Sequence, residues 1–105
     1  MGNRYFRTDS RLGIPLPSLD RQWEEYEAGE QLLIIEQWEL IRGRIPDLVM
    51  AFEDRIRDKQ RMLEEEDDFS HSCFLNSEIA ELASRINDLH IWYRVNQEIE
   101  LRRHS

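Results

Sequence analysis

Two stretches of this chain place apolar residues at a spacing that suits a helix and defeats a strand. Ile45, Val49, Phe52, Ile56, Lys59 and Leu63 are spaced 4-3-4-3-4, and so are Leu75, Ile79, Leu82, Ile86, Leu89 and Tyr93. At 100° per residue each set forms a single stripe, whereas on a strand it would scatter over both faces. Lys59 is the one charged member of the first stripe. Two heptad-like seams of equal period, joined by a short link, predict an antiparallel helical hairpin with coiled-coil character.

The helix signals set the boundaries. Pro46 and Asp47 suit a first turn, because proline has no N–H to lose there and an acid favours the positive end of the helix dipole. The second helix is therefore expected over about 46–66. It runs into Glu64, Glu65, Glu66, Asp67 and Asp68, five acids that oppose the dipole and one another, so its end should fray. Residues 67–75 read as a connection, with Ser72 or Asn76 capping a third helix over about 76–101. A first helix is expected over about 19–42. Leu19, Trp23, Tyr26, Leu33, Ile34, Gln37, Trp38 and Ile41 fall on its broad face, and Gly43 stops it in a left-handed cap.

Residues 1–18 differ from the rest. They carry +2, against −5 for 19–43, −4 for 44–72 and −1 for 73–105. Gly13, Pro15 and Pro17 prevent a regular helix, so the segment reads as an extended arm that Tyr5, Phe6, Leu12, Ile14 and Leu16 can pin to a surface. The expected fold is all-α: an extended arm, then one domain over 19–105 of three long helices in a small bundle built on the hairpin.

The third helix is apolar on two sides. Ile91, Val95 and Ile99 lie nearly opposite its main seam, with Trp92 between the stripes, and Leu32 and Ile35 lie off the main face of the first helix. A chain of 105 residues covers two-sided helices poorly by itself. Ile91, Trp92, Val95, Ile99, Leu32 and Ile35 are therefore expected to form a partner interface, in a homo-oligomer, most simply a dimer.

Composition narrows the function classes. The net charge of −8 disfavours nucleic acid and anionic membranes as direct partners. No apolar run approaches the roughly 18 residues of a membrane span, and no secretory leader is apparent, which points to a cytoplasmic protein. The one cysteine, Cys73, allows no internal disulfide.

Candidate chemistry is thin. Asp67, Asp68, His71 and Cys73 offer metal-ligand types, but H-x-C matches no ligand spacing and a fourth donor is not evident, so they read as a solvated acidic loop with a buried cysteine. A dimetal carboxylate site needs Glu-x-x-His, which is absent, and Glu30 reads as a rim residue that reaches solvent or pairs with an arginine. Cys73 and His71 lack an orienting third group. No phosphate-cradling glycine motif occurs. Trp23, Tyr26, Trp38, Trp92 and Tyr93 fall at helical spacing and read as packing residues. No catalytic residue, cofactor or metal ligand is assigned.

Residues 52–94 resemble the small aspartyl-phosphate phosphatases of sporulation phosphorelays. Leu75, Asn76, Ser77, Glu78, Ile79, Ala80, Glu81 and Leu82 fit the apolar-acidic lead-in to that family's Ser-Gln-Glu-Leu-Asp signature. Ala83, Ser84, Arg85, Ile86 and Asn87 occupy the signature places, so only the leucine is kept in kind, by Ile86. The resemblance implies a helical hairpin acting on response regulators. Asn87 can orient a water but cannot act as a base, so no catalytic residue carries over.

The residues thus point to a small, non-enzymatic helical adaptor or regulator that binds another protein. Its expected surfaces are the second stripe of the third helix and the acidic patch Glu64, Glu65, Glu66, Asp67 and Asp68. Two alternatives belong to other classes: a response-regulator phosphatase, and an acidic nucleic-acid mimic that occupies a DNA- or RNA-binding protein.

Overall fold

A computed structural model describes residues 4–95. The protein is mostly helical, at 71%, but it is not the three-helix all-α bundle that the seams suggest. It has two long helices, the first bent and 38 residues long, together with a two-stranded antiparallel sheet. The strands are β1 (Phe6–Asp9) and β2 (Ile14–Pro17). The bent helix consists of α1 (Ala28–Arg42) and α2 (Ile45–Glu65), and α3 covers Phe69–Tyr93. Among the described residues the chain forms two compact units, one of residues 4–44 with 92–95 and the other of residues 45–91.

The expected break at Gly43 is only a bend. Gly43 stays right-handed (φ −63°, ψ −19°), and its N–H donates to the Glu39 carbonyl at 3.0 Å. The Arg44 N–H then reaches back three residues, to Ile41 O at 3.0 Å, which tightens the turn. Pro46 has no N–H to continue the ladder. Helical geometry therefore resumes at Ile45 after a local fault.

In the first unit the supposed arm is a β-hairpin, paired Phe6 with Pro17 through to Asp9 with Ile14. Two prolines in one strand would ordinarily argue against a sheet, and the register explains why they do not. The Ser18 N–H donates to Tyr5 O at 2.8 Å, so hydrogen-bonded pairs recur at alternate positions, Arg7 with Leu16 and Asp9 with Ile14. Pro15 and Pro17 fall at the pairs between them, where an N–H would face away from the partner strand. Gly13 closes the turn at φ +80°, its N–H bonded to Asp9 O at 2.8 Å, while Asp9 Oδ1 accepts the Leu12 N–H at 2.9 Å.

This unit is built on aromatic rings. Phe6 stacks on Trp38 (centroids 6.4 Å apart), Tyr5 meets Tyr26 edge-on at 6.0 Å, and Trp38 meets Trp92 at 6.0 Å. The first helix begins at Ala28 rather than near residue 19. Trp23 and Tyr26 are drawn into the core from a short 3-10 turn, and the Gln31 side chain donates to Trp23 O at 2.8 Å. This shifts the buried face of α1 to Ile34, Ile35 and Trp38, leaving Leu33 44% exposed.

In the second unit the α2 and α3 seams supply the buried residues Ile45, Val49, Phe52, Leu75, Leu82 and Leu89. Lys59 Nζ lies 3.1 Å from Glu78 Oε1, and the Arg85 guanidinium lies 5.8 Å from the Phe52 ring centre. Moving seven residues back along α2 moves seven forward along α3, so the two helices run antiparallel.

Candidate protein-interaction surfaces

The link between α2 and α3 is much shorter than the expected 67–75. Asp68 is the reason. Its carboxylate accepts the Ser70 N–H at 3.2 Å, and its carbonyl accepts the Ser72 N–H at 2.9 Å, as an N-cap does. The last acid of the run thus starts α3 at Phe69 instead of prolonging a frayed loop. Glu66 accepts the Asp68 N–H at 3.0 Å and pairs with His71 Nδ1. The His71 hydrogen bond, followed by the Asp68 amide, holds the Glu66 carboxyl below the usual glutamate range.

Because α3 begins early, Cys73 is helical and exposed rather than buried in a loop. It lies two residues from buried Leu75, on the far side of the helix. The turn carries two exposed phenylalanines: Phe69 is 80% exposed and Phe74 is 56% exposed, the latter stacked on His71. Glu64, Glu65, Asp67 and Asp68 immediately precede Phe69 in sequence and are all exposed.

A second surface runs along the α2–α3 seam. Arg55, Lys59, Glu78, Glu81 and Arg85 rim an open cleft of about 250 Å³ with Leu82 at its wall. Arg85 Nε lies 3.2 Å from Glu81 Oε1. The Arg55 guanidinium sits 5.7 Å from the centre of the Phe52 ring and, among the described residues, has no carboxylate partner. Arg55 and Arg85 thus both lie on Phe52, and the cleft carries one more cation than anions in an acidic chain.

The residues expected to form a partner interface are dispersed. Ile35 is 8% exposed within the aromatic core of the first unit, and Trp92 and Val95 pack against that core. The chain itself covers much of that stripe. Leu32 and Ile91 are 49% and 54% exposed, and Ile99 lies outside the described residues. Glu30 accepts from Tyr5 Oη at 2.8 Å and lies 3.7 Å from the Arg21 guanidinium, at the rim of the core. Asn87 is exposed on α3 and does not line the cleft. No group of three or more histidine, cysteine or acidic side chains among the described residues is arranged to hold a metal ion. No described helix is long and apolar enough to cross a membrane.

The α2–α3 cleft escaped sequence reasoning, although its signal is present in Lys59 within the first seam and Arg55 one turn before it, and in Glu78, Glu81 and Arg85 at 3-4 spacing beside the second. No family model matches the chain, and neither does any curated protein or solved structure compared with it.

Proposed function

We propose that this is a small cytoplasmic, non-enzymatic regulator that binds another protein through the α2–α3 turn. The observation that carries the reading is Phe69. A phenylalanine 80% exposed at the first position of a helix buries little of its own apolar area in this chain. Burying such a ring on a partner is worth about 1.5–3 kcal/mol. The exposed acids that immediately precede it, Glu64, Glu65, Asp67 and Asp68, select an apolar pocket with a basic patch at one side, the charges setting specificity and encounter rate and the ring supplying affinity.

The nucleic-acid mimic is less well supported. Asp54 and Asp58 on α2 pair with Arg57 and Arg61, so the acids of the turn do not extend into an uncompensated phosphate-like row. No specific observation favours a phosphatase.

The test replaces Phe69 with the photocrosslinker p-benzoylphenylalanine in the full chain inside cells. A discrete adduct with one other protein, lost when Glu64→Lys and Glu65→Lys are added, is the expected result. Absence of any adduct, or one indifferent to the charge reversal, overturns the reading.

A further inference from the structure

We infer that the α2–α3 cleft face pairs with the same face of a second copy of this chain. On α2 the face is Arg55, Lys59 and Met62, spaced 4-3, and on α3 it is Phe74, Glu78, Glu81 and Arg85, spaced 4-3-4. The antiparallel ladder puts Met62 level with Phe74, Lys59 with Glu78, and Arg55 with Glu81 and Leu82. One edge of the face is therefore basic, the other largely acidic, and the apolar pair lies towards the turn. Met62 is 49% exposed and Phe74 is 56% exposed.

A two-fold axis parallel to the helices lays α2 of one copy on α3 of the other at the same level. Each Met62 then meets the other copy's Phe74, each Lys59 its Glu78, and each Arg55 its Glu81. The Arg55 guanidinium, which has no carboxylate partner among the described residues, acquires one. A two-fold axis perpendicular to the helices would instead lay α2 on α2, setting the basic edge with Arg55 and Lys59 against itself, and is disfavoured. In a chain of net charge −8 this face is locally near neutral, so two copies repel least here. The contact spans about three helical turns, roughly 16 Å, which makes the dimer weak and concentration-dependent. The same geometry brings the two acidic turns to one end, where they oppose association.

Sedimentation equilibrium of the full chain over a micromolar-to-millimolar range tests this, with circular dichroism to verify folding. The wild type is expected to pass from monomer to dimer. Arg55→Glu and Glu81→Arg should each weaken dimerisation about tenfold or more. An equimolar mixture of these two variants should recover it, because every reversed charge then faces its complement. Glu64→Gln with Glu65→Gln should strengthen it. A wild type monomeric throughout, a dimer insensitive to both reversals, or a mixture as weak as its components would each overturn the assignment.

Discussion

Trp38 and Trp92 meet edge to face, with ring centroids 6.0 Å apart and planes at 68°. Trp38 is fully buried in α1, and Trp92 comes from the far end of α3, so this contact joins the late chain to the core of the first unit. Truncating Trp38 to alanine should destabilise that unit by about 3–5 kcal/mol. Trp38→Phe should cost clearly less, because the Trp38 Nε1–H is buried without an acceptor among the described residues and phenylalanine gives up no hydrogen bond. A urea-denaturation cycle with Trp92→Ala should return a coupling of about 0.5–1.5 kcal/mol. Additive effects would mean that the two rings are energetically independent.

Gly13 should resist substitution for a purely conformational reason. Its φ is +80°, and a Cβ at this position would meet nothing within 4 Å. Gly13→Ala should therefore cost about 1–2 kcal/mol, from the left-handed backbone alone. Gly13→Asn should cost less, since asparagine tolerates that region better. Equal losses for the two variants would point to packing instead.

The legible part of the fold is the periodic part. The seams that run from Ile45 and from Leu75 contain every buried residue of the second unit, because burying one side of a helix leaves a periodic trace that needs no tertiary knowledge. The β-hairpin left no such trace. Pro15 and Pro17 argue against a sheet until the register shows that neither forfeits a ladder bond, and register is a tertiary property. The acids at the turn misled for a related reason. Judged as the end of α2 they are unfavourable, yet Asp68 belongs to the beginning of α3, where the dipole has the opposite sign. The face of α1 moved because Trp23 and Tyr26 pack from outside the helix. The cleft was hidden because its charges resemble an ordinary solvated flank until α2 and α3 are set side by side.

Asp20 should give the first unit a definable acid sensitivity. The Tyr26 hydroxyl donates to Asp20 Oδ1 at 2.8 Å, and this hydrogen bond is the main reason the carboxyl titrates below the usual aspartate range. A folded-state pKa below the unfolded one means that the unfolded chain takes up the proton more readily. The stabilisation is therefore complete above the ordinary aspartate value, about pH 4, and is lost as pH falls through the lower folded value. Tyr26→Phe should flatten this part of the stability–pH curve and leave the slope near neutral pH unchanged. Glu66, lowered by His71 in the turn, acts in the same sense and should persist in the Tyr26 variant. An unaltered acid limb in Tyr26→Phe would remove Asp20 as its source.

Asp68 should matter more through its side-chain oxygen than through its charge. Asp68→Ala removes the acceptor of the Ser70 N–H and should destabilise the hairpin by about 1 kcal/mol, with the loss appearing as faster amide exchange in the first turn of α3. Asp68→Asn keeps an oxygen at the cap and should retain most of the stability, since asparagine and aspartate cap about equally well. Charge repulsion within the Glu64–Asp68 run predicts the opposite sign and no ranking, with alanine and asparagine equally stabilising because both relieve it. Thermal unfolding of the two variants at low and high salt separates these outcomes. A deficit confined to alanine and unchanged by salt identifies the cap, and a gain for both that disappears in salt identifies the repulsion.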